Sequence, residues 1–217
     1  MKANFPIEQG LGQQDSEYGE KDFEQMLVKA KAKGSFMVFT DFINNPIDQM
    51  AKEELYDTWL DNCNKNIQAL YGQREFPQTI TKAVIVGGSP QDLPTDEQFQ
   101  RIKEVGYTIF VVDRTLPRMT FLPDYVVTVD ASPLIIPYHV PVNGIYVTAI
   151  LPLCADIGVR QAASNVVWYM PSIDKVTDNI IHKLTGLPII QSYGTVTNVA
   201  CTLAEYMGAK EIVLVGV

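Results

Sequence analysis

Cysteine, histidine and basic side chains are scarce in this 217-residue chain, and each shortage excludes something. Its three cysteines, Cys63, Cys154 and Cys201, are odd in number and far apart, and no Cys-x-x-Cys occurs, so neither a disulfide framework nor a zinc site is indicated. They are expected to be buried thiols in a reducing compartment. The only two histidines, His139 and His182, are too few and too distant for a triad or a histidine metal cluster, and each reads as a surface or hydrogen-bonded residue. Against 25 acidic residues stand 17 basic ones, a net charge of −8, which argues against a nucleic-acid or anionic-membrane surface. Prolines and glycines interrupt every long apolar run, and the N-terminus lacks an apolar leader, so a cytoplasmic protein with no membrane span is expected. Also missing are Gly-x-Gly-x-x-Gly after a strand, Gly-x-x-x-x-Gly-Lys-Ser/Thr and Gly-x-Ser-x-Gly. These absences disfavour a dinucleotide dehydrogenase, a P-loop NTPase and an α/β-hydrolase.

What is present has the rhythm of an α/β protein. Residues 1–20 are polar and read as a flexible lead-in, and helical spacing of apolar residues runs from Lys21 to Lys33 and from Pro46 to Tyr71. The linker Gly72–Pro77 closes this helical segment, and a domain boundary is placed near residue 77. Short apolar strands are predicted at 83–87, 107–112, 125–129, 145–151, 166–169 and 211–215, with helices at about 94–105 and 196–207. Strands separated by helices imply a mostly parallel sheet, and ligands of such sheets bind at the carboxyl ends of the strands near a reversal of strand order. The last strand stops where a loop should begin, so the domain of residues 78–217 is expected to be truncated at its C-terminal end.

Four strand ends carry candidate chemistry. The buried strand Ala83–Val86 breaks into Gly87-Gly88-Ser89-Pro90, where glycines able to take φ > 0 suit close approach of a phosphate, or simply a tight strand-to-helix turn. Val111-Val112-Asp113-Arg114 delivers an acid and a base together, as a reactive pair or as an ion pair that ties the loop down. In Pro123-Asp124-Tyr125-Val126-Val127-Thr128-Val129-Asp130, Asp124 precedes the strand and reads as a turn residue. Asp130 follows the strand and could meet a ribose hydroxyl or hydrated Mg²⁺. Finally, Gln191-Ser192-Tyr193-Gly194-Thr195-Val196-Thr197-Asn198 opens an apolar helix, as an anion site or as an ordinary cap.

Together the Val84–Pro90, Pro123–Asp130 and Gly194–Val196 segments and the Gly208–Gly216 run resemble the 6-hydroxymethylpterin diphosphokinase MptE-like family. That family also includes the central domain of the Maf motility accessory factors. Over about residues 80–217 the resemblance implies a Rossmann-like three-layer α/β domain, here behind a helical N-terminal segment. It further implies a transferase that moves diphosphate from ATP to a hydroxymethylpterin with Mg²⁺ bridging phosphates. Within enzymes the alternative is a sugar transferase with a nucleotide-activated donor; outside them, a nucleotide-binding module without turnover. Nucleotide contacts are expected from Gly87, Gly88, Ser89, Asp130, Ser192, Tyr193, Gly194, Thr195 and Thr197. Catalytic roles are expected for Asp130, Asp113 and Arg114, and a metal contact for Asp130. Expected partners are a nucleotide and a pterin or sugar acceptor; a homo-oligomer is compatible with this reading. The loop departs from the family's Gly-Pro-Ser, and the Asp usual after the final strand is absent.

Overall fold

The computed structural model describes residues 46–68, 70, 76, 79–89, 93–172, 175–191 and 194–217. The expected lead-in, the helix at 21–33, most of the 72–77 linker, Pro90, Ser192 and Tyr193 lie outside the described residues. Helix α1 (Pro46–Ile67) is followed by β1 (Lys82–Val86), α2 (Asp96–Glu104), β2 (Thr108–Val112), β3 (Tyr125–Val127), β4 (Thr148–Pro152) and α3 (Ile157–Ala162). Then come β5 (Asn165–Pro171), α4 (Lys175–Thr185), β6 (Ile189–Ile190), α5 (Val196–Tyr206) and β7 (Glu211–Val215). The seven strands form one sheet in the order β6-β5-β4-β3-β2-β1-β7, and every pairing is parallel. This is a Rossmann-like α/β fold.

Alternation along the strands divides the core in two. Val84 and Val86, Ile109 and Val111, Val126, Leu151, Trp168 and Met170 face one layer, together with Cys63 of α1, Phe99 of α2, Val159 of α3 and Ile181 of α4. Ala83 and Ile85, Phe110, Val127, Ile150, Val167 and Tyr169 face the other, which is covered by Val199, Ala200, Leu203 and Ala204 of α5. Right-handed crossovers explain the division. From β1 to β6 the chain steps always in the same direction, so its connections stack on one face. The return from β6 to β7 runs the opposite way and puts α5 on the other. Between β2 and β3, and again between β3 and β4, the crossover is a 3-10 helix, at Asp113–Arg118 and Pro133–Tyr138. Each contains an internal proline, Pro117 or Pro137, which lacks the N–H that an α-helix would use.

Local signals set the helix starts. A capping box joins Thr95 and Gln98 at the head of α2: the Gln98 amide donates to Thr95 Oγ1, and the Thr95 amide donates to Gln98 Oε1. Helix α1 is tied down by polar groups instead. Asn62 Nδ2 donates to the Cys154 carbonyl at 3.0 Å, while Asn66 Nδ2 donates to the Leu153 and Ala155 carbonyls at 2.9 and 2.7 Å. These bonds fix the loop that leaves β4 at the carboxyl edge. All three cysteines are buried free thiols, as expected from their spacing. Among the described residues no helix is long and apolar enough to cross a membrane.

Candidate functional site

Strand order reverses between β1 and β7, so the carboxyl edge of this pair is where such a sheet opens to a ligand. The glycine turn lies there. The Gly87 amide donates to the Val215 carbonyl and the Ser89 amide to the Gly216 carbonyl, both at 2.8 Å, while Thr115 Oγ1 donates to the Gly87 carbonyl at 2.8 Å. Two expectations are thereby corrected. Neither Gly87 nor Gly88 has a positive φ, and two of the turn's amides are already engaged by the carbonyls of Val215 and Gly216. What the turn could offer an anion is the Gly88 amide and the Ser89 hydroxyl. The two glycines also serve different ends. A Cβ on Gly87 would stand 2.6 Å from the Gly216 carbonyl oxygen, whereas one on Gly88 would meet nothing within 4 Å. Gly87 is therefore required by the fold, and Gly88 leaves open space at the edge.

Next along the edge, β2 is followed by Asp113, which is only 5% exposed, whereas Arg114 faces solvent. Their link is made through the backbone, with the Arg114 amide donating to Asp113 Oδ1 at 2.7 Å. Burial pushes the Asp113 carboxyl above the usual range; the Arg114 amide and a hydrogen bond from the Thr128 hydroxyl oppose this, and the nearby Asp130 charge adds to it. Asp130 itself is exposed, three residues past the end of β3, and its Oδ1 accepts the Ser132 amide at 2.7 Å. Of the two carboxyls, Asp113 is buried and Asp130 is in solvent. Asp124 is a clamp at the opposite edge. It bonds Lys103 and accepts the Ile109 amide at 2.7 Å, in keeping with its reading as a turn residue.

Gly194, Thr195 and Thr197 stand at the start of α5. Gly194 takes φ 77°, which favours glycine, and Thr195 Oγ1 accepts the Asn198 amide at 3.1 Å as the cap. This turn follows β6, five strand spacings from β1, or about 24 Å at roughly 4.8 Å each. Helix α5 then crosses beneath β3, β2 and β1. Sharing the carboxyl side does not by itself bring Gly194 to Gly88.

Sequence reasoning missed the polar group beneath the edge. Thr128, fully buried, bonds His139 Nε2 through Oγ1 at 3.1 Å and accepts the Tyr169 hydroxyl on its carbonyl at 2.8 Å. His139 is 6% exposed, and burial pulls its ring down to about 4. Tyr169 and Cys154 are pushed well up by burial. The one available signal was a histidine closing an apolar stretch, Pro133–Tyr138, but the Thr128 it meets follows β3, and the Tyr169 that bonds Thr128 comes from β5.

A profile of the 6-hydroxymethylpterin diphosphokinase MptE-like family matches residues 57–217. The chain belongs to that family. The MptE-like match begins inside α1, so it takes in the asparagines that hold the β4 loop as well as the whole sheet. Among solved structures, the MAf glycosyltransferase from Magnetospirillum magneticum AMB-1 is similar over 72% of this chain at 20% identity, with a TM-score of 0.52. This chain covers 27% of that enzyme's length. A second structure, that of a hypothetical protein, shares 13% identity over 69% of this chain and 86% of its own, with a TM-score of 0.26. No protein of curated function matches the sequence.

Proposed function

We propose that this MptE-like chain is a nucleotide-dependent transferase whose donor lies over the β1–β7 switch point and whose acceptor hydroxyl is met by Asp113. The observation that carries the reading is the arrangement of one edge: a glycine with open space above it, Gly88, on the strand next to the one that presents a buried carboxyl, Asp113. In the diphosphokinase form, supported by the family match, an acceptor hydroxyl oxygen attacks the β-phosphorus of ATP. The Pα–O–Pβ bridge breaks, AMP leaves, and the hydroxyl proton passes to Asp113. Gly88 lets the phosphates approach the backbone, and Arg114, exposed beside Asp113, balances their charge.

A second reading is supported by the glycosyltransferase neighbour. There the same carboxylate takes the proton of an acceptor hydroxyl that attacks the anomeric carbon of a nucleotide-activated sugar, and the nucleotide leaves. As for Mg²⁺, no three His, Cys, Asp or Glu side chains converge among the described residues. Mg²⁺ carried by substrate phosphates needs only one or two carboxylates, and Asp130, exposed at the edge, is the one that would hold it, where it would neutralise phosphate charge.

The experiment is a donor comparison. The chain is incubated with ATP and a hydroxymethyldihydropterin, or with nucleotide-sugars, and the products are separated by mass. AMP plus a pterin heavier by one diphosphate supports the first reading, and sugar-nucleotide cleavage supports the second. Binding with neither donor consumed would replace both with a nucleotide-binding module.

A further inference from the structure

A groove of about 580 Å³ runs beside the β1–β7 edge, lined by Leu93 and Pro94 ahead of α2, by Gln98, Arg101 and Ile102 of α2, and by Val215 at the end of β7. Strand order leaves it open. Val213 and Val215 are in register with Val84 and Val86 and so share their face, but α2 is the crossover from β1 to β2, whereas β7 lies on the other side of β1. Val213 is accordingly 39% exposed where Val84 is 2% exposed. The groove reaches the glycine turn, because Val215, which lines it, is the residue whose carbonyl accepts the Gly87 amide at 2.8 Å. Its volume falls within the roughly 300–1,000 Å³ of small-molecule sites, and its aliphatic walls with few polar groups are of their kind. We propose that this groove holds the nucleoside of the donor, with the base between α2 and β7 and the phosphates leading from it onto Gly88.

The order of the strands assigns the occupant. Across the carboxyl edge lie the groove beside β7, Gly88 after β1 and Asp113 after β2, on neighbouring strands about 4.8 Å apart. A donor laid across that edge runs from base to phosphates in the same direction, and its reacting end points toward Asp113. The acceptor then enters from the Asp113 side, away from the groove. The polar side chains of the groove suit a base. The Thr95 amide already occupies Gln98 Oε1 at 2.8 Å, so Gln98 has only its Nε2 hydrogens to offer. Arg101, exposed and with no carboxylate within 4 Å among the described residues, likewise only donates. Every nucleobase carries ring-nitrogen or carbonyl acceptors, and the flat guanidinium can also lie against its ring. The inference rests on the transferase reading of this edge and deepens it by naming where the donor's base goes.

The test is methyl NMR of the full chain, 13C-labelled at Ile, Leu and Val and titrated separately with ATP, CMP, inorganic tripolyphosphate and 6-hydroxymethylpterin. A base in the groove places its ring current on Leu93, Ile102 and Val215. Their methyl signals should therefore shift with ATP or CMP and stay with tripolyphosphate, which has no ring. Arg101→Ala, at an exposed position, should weaken ATP binding about 3- to 10-fold by calorimetry and leave tripolyphosphate within about twofold. Nucleotide bound with those methyls unmoved would overturn the inference and leave the transferase reading standing. Methyls shifted by the pterin and not by a nucleotide would also overturn it, giving the groove to the acceptor. An equal loss of both ligands in Arg101→Ala would make Arg101 a phosphate contact and overturn its place against the base. No nucleotide binding at all would overturn the transferase reading and the inference together.

Discussion

Gly87 and Gly216 touch backbone to backbone: a Cβ added to Gly87 would lie 2.6 Å from the Gly216 carbonyl oxygen. The Gly87 and Ser89 amides both donate to β7, so β1 and β7 leave the sheet as one strapped pair. Gly87→Ala should therefore destabilise by about 1 to 3 kcal/mol, since backbone must shift to admit the methyl. Gly88→Ala, with nothing within 4 Å, should leave the midpoint of a urea transition nearly unchanged. Equal effects at the two positions would show that the strap does not exist.

Gly88→Val separates ligand space from folding. The added side chain occupies the open volume above the edge, so nucleotide affinity by calorimetry should drop at least tenfold while far-UV circular dichroism and the melting temperature remain those of the parent. Unchanged affinity in the folded variant would remove Gly88 from the site.

Asp130→Asn keeps the acceptor for the Ser132 amide but deletes the exposed charge. Stability should hardly change. Nucleotide binding should weaken by about 1 to 3 kcal/mol if the carboxylate makes a charge-assisted bond to the ligand. Normal binding would place Asp130 among the loop-forming residues only.

His139 predicts an acid-side loss of stability. Its folded value is near 4 against 6.5 unperturbed, so between those values the unfolded chain holds a proton that the folded chain does not. Stability is therefore fully present above about pH 6.5 and declines toward pH 4, by at most about 3 kcal/mol. His139→Gln should flatten that part of the curve, read from denaturant midpoints at half-unit steps. Asp113 acts with the opposite sign. Its raised carboxyl favours the folded state at low pH and disfavours it as pH rises, so Asp113→Asn should gain on the parent as pH rises above the ordinary carboxylate value of 3.8.

Asn66→Ala strips the Leu153 and Ala155 carbonyls of their donors and leaves a cavity under α1. The expected loss is about 2 to 4 kcal/mol, and amide exchange should rise first in α1 and in the β4–α3 loop. Asn66→Asp should be worse, because a carboxylate would face two carbonyl oxygens.

Much of the fold was legible because local rules decide it. The continuous apolar runs around Ile85, Phe110 and Leu214 could only be strands of a parallel sheet, and β7 spans Glu211–Val215 as read. The apolar helix after Thr195 and the capping threonine were equally plain. Helices α3 and α4 and strand β6 were not read. α3 has six residues and β6 two, too short for a period to show, and around α4 the apolar positions are shared between a partly exposed face and the core.

At the site, the sequence by itself determined which residues stand at strand ends: Gly87, Gly88, Asp113 and Asp130 follow β1, β2 and β3 because an apolar run terminates there. Tertiary structure decided what each of them does. Strand order made Gly87 a packing glycine against Gly216, and spent the Ser89 amide on a partner some 130 residues away in the chain. Burial, which no single segment encodes, separated the solvated Asp130 from the enclosed Asp113. The Tyr169–Thr128–His139 group exists only because β5, the end of β3 and the 3-10 helix after it converge at one edge. Spacing along the chain reports the period of an element, whereas a hydrogen bond between elements depends on the order in which the sheet is assembled.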